Sequence, residues 1–155
     1  MKILSIDPSG TGTTGLFFIS KEKTEFIEFK NNDWKKHYFF IKTLIKEKKP
    51  KIIIYEDTNY INKRTSDSLN LFRLLGAIEN LSVKKIRTIN VIKVKILTKK
   101  LFLGKIKIKN LEYLPGRGKG WMFEKKRVSI HQLEAYLVYW LFAKETEDNK
   151  NKRII

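Results

Sequence analysis

Hydrophobic positions fall in short blocks whose spacing changes along the chain. Residues 2–7, carrying Ile3 and Ile6, read as a buried strand that Asp7-Pro8-Ser9-Gly10 stops. Residues 13–20 and 24–30 are two further β-rich runs, joined by Lys21-Glu22-Lys23 as a hairpin or meander. Asn32 and Asp33 then offer a helix N-cap, and Trp34, Tyr38, Ile41 and Ile45 recur at helical spacing up to Lys49-Pro50. Residues 51–56 form a continuous apolar strand of the kind buried in a central sheet. Leu69, Phe72, Leu75 and Ile78 predict a helix starting near Thr65-Ser66. A short strand at 84–89 and a mixed helical segment at 91–103 follow. Residues 104–120 are the least regular, ending in the flexible basic loop Pro115-Gly116-Arg117-Gly118-Lys119-Gly120. Ser129 caps a last helix with Ile130, Leu133, Leu137, Val138 and Leu141 on its apolar side, and the charged tail 144–155 is expected to fray.

Three strands, a helix, then strand, helix, strand and helices predict a mixed α/β domain with helices covering a central sheet. The 155 residues suffice for one domain with its own core, and no internal repeat interrupts it. A hydrophobic share of 42% excludes a disordered chain. The absence of cysteine excludes disulfides, thiol catalysis and Cys-based zinc sites. The longest apolar runs, such as Leu16-Phe17-Phe18-Ile19, are strand-sized and too short for a bilayer. With no signal-peptide layout at the N-terminus, the expectation is a soluble, cytoplasmic protein with no membrane partner.

Charge then changes the picture. Lys plus Arg number 33 against 16 acidic residues, a formal net charge of +17. Such an excess points to a polyanionic partner, nucleic acid first, although A/T-rich codons for Lys, Ile and Asn account for part of it. Against that background a few acids stand out. Asp7 ends the first strand, where alone it fits a turn. Glu56 ends another apolar strand, where alone it fits a solvated end. His131 and Glu134 share one face of the last helix, where alone they fit an amphipathic surface. Together they change meaning. Parallel strands present their carboxyl ends on one rim, where α/β proteins bind ligands, and a helix across that rim brings in the His/Glu pair. An acidic cluster in so basic a chain calls for cations. Magnesium, or manganese as the alternative, suits such oxygen ligands, and two ions per site can drive in-line phosphodiester hydrolysis.

Taken in order, Ile6-Asp7-Pro8-Ser9-Gly10 through Thr14-Gly15, Ile54-Tyr55-Glu56 and His131-Gln132-Leu133-Glu134-Ala135 resemble the RuvC-like Holliday junction resolvases of the ribonuclease H and retroviral-integrase superfold. The likeness runs from residue 2 to about 143. Asn62, Ser68, Leu69 and Gly76 resemble the helix after the family's second acid, and residues 93–105 a later segment with Thr98 and Lys105 at matching separation. The resemblance implies a ribonuclease H-like mixed sheet flanked by helices, with a nuclease domain over 1–143. It implies that Asp7, Glu56, His131 and Glu134 ligate two metal ions, with Asp7 bridging them, and that Lys105 stabilises charge on the phosphate. Lys105 also fits one more solvated lysine.

The resemblance further implies a homodimer through the helix at 65–80, with Leu71, Leu74 and Leu75 at the interface, although these leucines also suit an ordinary core. An aromatic opens the junction in the family; here Asn59 holds that position and Tyr60 follows, where it can stack on a base or pack under its loop. Lys99, Lys100, Arg117 and Lys119 are the expected DNA phosphate contacts. Two departures stand out: Glu134 replaces a commoner Asp, and Lys99-Lys100-Leu101 replaces the glycines expected after Thr98. The implied function is a magnesium-dependent endonuclease resolving Holliday junctions and other branched DNA by paired symmetric nicks. Alternatives are a non-catalytic nucleic-acid-binding module and an RNA-processing nuclease of the same fold. An actin-like ATPase is disfavoured, because its second phosphate-binding hairpin is missing.

Overall fold

The computed structural model describes residues 1–58 and 66–151. The chain runs β1 (Ile3–Asp7), β2 (Gly12–Ile19), β3 (Thr24–Asn31), α1 (Trp34–Lys48), β4 (Ile52–Asp57), α2 (Ser66–Glu79), β5 (Lys85–Asn90), α3 (Val91–Phe102), β6 (Leu111–Leu114), β7 (Gly120–Phe123), β8 (Lys126–Val128) and α4 (Ile130–Asn151). A five-stranded sheet has the order β3-β2-β1-β4-β5, and β6-β7-β8 form a second sheet of three. In the large sheet β2 is antiparallel to β1 and β3, while β1-β4 and β4-β5 are parallel pairs.

Side chains alternate between the two faces of a strand, and this divides the core. Leu4, Ile6, Leu16, Phe18, Ile53 and Tyr55 pack with Ile41 and Leu44 of α1 and Leu74, Leu75 and Ile78 of α2. Ile3, Phe17, Ile52, Ile54 and Ile89 point the other way, into a core with Val94 and Leu97 of α3 and Leu133, Leu137 and Val138 of α4. The small sheet joins this second core through Trp121 and Val128, and the Phe123 ring lies 5.0 Å from Tyr136 of α4 and 5.1 Å from Phe26 of β3. Covered by the large sheet and this second layer, α4 is buried continuously from Leu133 to Val138.

Local chemistry sets the ends of the helices. The Asp33 carboxylate accepts the Lys35 N–H at the start of α1, and Asn90 does the same for Ile92 at the start of α3. Ser129 and Gln132 form a capping box: Ser129 Oγ accepts the Gln132 N–H, and Gln132 Oε1 accepts the Ser129 N–H.

Four expectations are corrected. Residues 104–120 and the stretch beyond them hold β6 and lead into β7 and β8, where an irregular loop is expected. The β7-β8 turn is a two-residue hairpin turn with Glu124 at φ 49° and Lys125 at φ 66°, and it lacks the Asn or Gly that advertises such turns. Helix α4 continues to Asn151, past residue 144 where fraying is expected. On α1 the buried stripe is His37, Ile41 and Leu44, with Trp34, Tyr38 and Ile45 only half-buried beside it. Leu74 and Leu75 lie in the monomer core against the sheet, so they cannot form a dimer interface; Leu71 is half-buried and Leu69 faces outward.

Candidate metal centre

Strand parity places the acids. Asp7 follows Ile3 and Ser5, and Glu56 follows Ile52 and Ile54, so both carboxylates sit on the α4 face of the sheet. The parallel pairing of Ile6 with Tyr55 sets Asp7 and Glu56 side by side at the carboxyl ends of neighbouring strands. Helix α4 reaches them because small residues line its track. A Cβ on Gly15, which pairs with Asp7, would lie 2.1 Å from the His131 carbonyl oxygen. One turn further on, Ser5 Oγ donates to the Ala135 carbonyl at 2.7 Å. Main chain thus meets main chain, and His131 and Glu134, three apart, both turn towards Asp7.

The turn after Asp7 is braced from two sides. His37, fully buried, donates from Nε2 to the Asn31 carbonyl at 2.8 Å and meets the Thr14 hydroxyl through Nδ1 at 2.8 Å. Thr14 Oγ1 in turn accepts the Ser9 N–H at 3.1 Å. On the other side Gly10 presses on α2, since a Cβ there would lie 2.2 Å from the Leu71 nitrogen.

The resulting cluster is compact. Ligand atoms of Asp7, His131 and Glu134 all lie within 4.8 Å of one another. His131 Nδ1 is 3.0 Å from Asp7 Oδ2, and Lys95 Nζ is 2.6 Å from Glu134 Oε1. Asp7, Glu56 and Glu134 are 7%, 8% and 6% exposed. Glu56 Oε2 is buried and has no hydrogen-bond partner among the described residues.

Burial and crowding set the protonation. Burial, then the neighbouring Asp7 carboxylate, pushes Glu56 up to about 8. Burial likewise raises Asp7 above the ordinary carboxylate value, with Glu134 adding to the rise and the His131 hydrogen bond opposing it. The hydrogen bond to Asp7 raises His131. Burial works most strongly against a charged Lys95, but the hydrogen bond to Glu134 together with the charges of Glu134, Glu56 and Asp7 holds the ammonium above its usual value. The group whose ligand atoms come that close holds Asp7, His131 and Glu134; Glu56 stands beside it, outside that group, with its Oε2 lacking a donor. Two carboxylates and an imidazole, with a third carboxylate alongside, are the donor chemistry of a hard or borderline divalent cation. The residues fit such an ion.

Other expected contacts lie around this centre. Lys99 and Lys100 are exposed on the last turn of α3, and Arg117 and Lys119 are exposed in the β6-β7 turn. Lys105 sits in the exposed turn beyond α3 and makes no hydrogen bond or ion pair with the cluster among the described residues. The lysine that reaches the acids is Lys95, which nothing distinguishes in a lysine-rich sequence except its place beside buried Val94. Tyr60, with Asn59 and Asn62, lies outside the described residues. No helix among the described residues is long and apolar enough to cross a membrane.

Solved structures similar to this chain include two of RuvC. RuvC of Thermus thermophilus in complex with Holliday junction substrate is 13% identical and aligns over 89% of each chain with a TM-score of 0.58. A second structure of Thermus thermophilus RuvC is also 13% identical, aligning over 89% of this chain and 90% of that one with a TM-score of 0.56. No protein-family model and no curated protein matches the sequence. At this identity the likeness establishes the fold: a RuvC-like α/β fold with a mixed sheet flanked by helices.

Proposed function

We propose that this chain is a divalent-metal-dependent, structure-selective endonuclease that resolves four-way DNA junctions by paired, symmetric nicks. The observation that carries the reading is the close group of Asp7, His131 and Glu134, with the unpartnered Glu56 Oε2 next to it on the neighbouring strand. In this reading Asp7, Glu56, His131 and Glu134 hold the ions, magnesium or manganese, two per site. When bound, such ions polarise a phosphate and make water a nucleophile near neutral pH.

The chain's own residues do the rest. Asp7 and Glu56 are fixed by paired strands, so their oxygens need little reorganisation to accept a cation. Lys95, paired with Glu134 and half-exposed, places a positive charge beside the cluster that would suit an incoming phosphodiester. Lys99, Lys100, Arg117 and Lys119 supply phosphate contacts that position DNA without reading its sequence. Lys105 is a further phosphate contact, and Tyr60 a base-stacking residue. A homodimer presents two sites related by a two-fold axis, the symmetry of a four-way junction. With Leu74 and Leu75 committed to the core, the outer side of α2 around Leu69 carries the contact.

The deciding experiment compares cleavage of a labelled four-way junction with that of linear duplex of the same sequence, in magnesium, manganese and chelator. Paired nicks in the junction alone, absent with chelator and in Asp7→Asn and Glu134→Gln, are expected. Junction binding without cutting in either metal would leave a nucleic-acid-binding module. Equal cutting of RNA or linear duplex would keep the metal site and discard junction selectivity.

A further inference from the structure

Helix α4 carries two of the four proposed ligands, yet its first turn lacks the apolar anchoring that holds the rest of it. Burial is continuous from Leu133 to Val138, whereas Ile130 is 46% exposed and His131 is only half-buried. Polar contacts and the main-chain seat on Gly15 hold this turn instead. Ser129 and Gln132 close the capping box, and the Leu133 N–H reaches the Ser129 carbonyl at 2.9 Å. Ser129 Oγ also donates outward to Glu28 Oε1, 101 residues away in β3.

The place of Glu28 follows from strand register. Asp7 pairs with Gly15, and Gly15 pairs with Glu28, so the two acids flank a glycine in one row on the α4 face. The glycine lets α4 settle onto the row, and the glutamate beyond it meets the helix cap. In a chain of net charge +17, with Lys119 and Arg127 lining the same groove, an exposed glutamate is expected to pair with a cation. Among the described residues it instead takes the Ser129 hydroxyl.

We propose that Glu28 is a positioning residue for the metal centre. Its carboxylate fixes the Ser129 hydroxyl, and through the capping box it sets the rotation of the first turn of α4 that aims His131 at Asp7. The first turn rests on Gly15 through main chain but buries no apolar side chain, and with about 100° of turn per residue a small rotation of it carries the His131 side chain away from Asp7. This inference rests on the reading of Asp7, Glu56, His131 and Glu134 as metal ligands.

The test is manganese binding to the full chain without DNA, measured by calorimetry, with melting followed in chelator. Glu28→Ala should bind manganese roughly tenfold more weakly, the scale expected for a residue that orients a ligand. Glu28→Gln, whose amide oxygen still accepts from Ser129, should bind as the unaltered chain does. Ser129→Ala, which keeps Glu28 but cuts the link, should weaken binding at least as much as Glu28→Ala. Unchanged affinity in Glu28→Ala or Ser129→Ala would overturn the proposal. Equal weakening in Glu28→Gln would overturn it too, by showing that the charge acts at a distance. A lower melting temperature with unaltered affinity would reduce Glu28 to a fold contact. If the unaltered chain bound no manganese, the metal reading would fall and take this inference with it. Binding by the unaltered chain, lost in Asp7→Asn but kept in Glu28→Ala, would remove the inference alone.

Discussion

Lys95 Nζ and Glu134 Oε1 stand 2.6 Å apart, joining α3 to α4 across an otherwise acidic cluster. The ammonium compensates a buried carboxylate and competes with any metal for the same oxygen. Lys95→Met should therefore bind manganese roughly three- to tenfold more tightly, the worth of one hydrogen bond of about 0.5–1.5 kcal/mol. Junction cleavage by the same variant should slow, because the phosphate loses a cation. Calorimetry and single-turnover cleavage on one preparation separate the two effects, and weaker metal binding would contradict the competition.

The proton on Glu56 gives a signed dependence on pH. The folded group titrates near 8 against an ordinary 4.5, so across that window the folded chain holds a proton that the unfolded chain has lost. Stability without metal should fall as pH rises from about 4.5 to 8, by up to about 1.4 kcal/mol per unit for a full proton. Asp7 and His131, both raised, act in the same direction. Glu56→Gln, which mimics the protonated acid, should flatten much of the slope in chelator melts. A profile as steep in Glu56→Gln as in the unaltered chain would assign the dependence elsewhere.

Gly15 tests the docking of α4. A Cβ there would sit 2.1 Å from the His131 carbonyl oxygen, where main chain has to shift. Gly15→Ala should cost about 3 kcal/mol or more, the upper range of overpacking, and lower the melting midpoint by roughly 6–12 °C. Gly76, where an added Cβ would meet nothing within 4 Å, is the control: Gly76→Ala in α2 should not destabilise.

Salt separates phosphate contacts from other contributions. Junction affinity should fall steeply with ionic strength, and alanine at Lys99, Lys100, Arg117 or Lys119 should each lower the log–log slope by about one. Fluorescence anisotropy across a salt series measures this, and an unchanged slope removes that residue from the interface.

Much of the fold was legible because strand and helix periods are clean where one face is buried. β1, β4 and the middle of α4 are mostly apolar, and the acids and histidine at their ends, Asp7, Glu56 and His131 with Glu134, stand out against them. The small sheet was not legible, since strands of three or four residues hold too few alternations and the Glu124-Lys125 turn uses residues that rarely take positive φ. The leucines of α2 show a further limit: Leu74 and Leu75 satisfy a core and an interface equally well until packing decides. Lys95 and Glu28 were hidden for another reason. Their meaning comes from partners 39 and 101 residues away, which no local period reports.

The proposed ligands stand at positions 7, 56, 131 and 134, and this spread bears on the order of folding. In the folded chain the two ends meet at the centre through the pairing of β1 with β4 and the seating of α4 over Gly15. An ion then has no cluster to grip in the unfolded chain and a poor one in a half-assembled chain. Its binding energy belongs to the finished structure, so saturating metal should slow unfolding while leaving the refolding rate nearly unchanged. On the proposed reading the centre is a latch on a completed fold, not a seed for one.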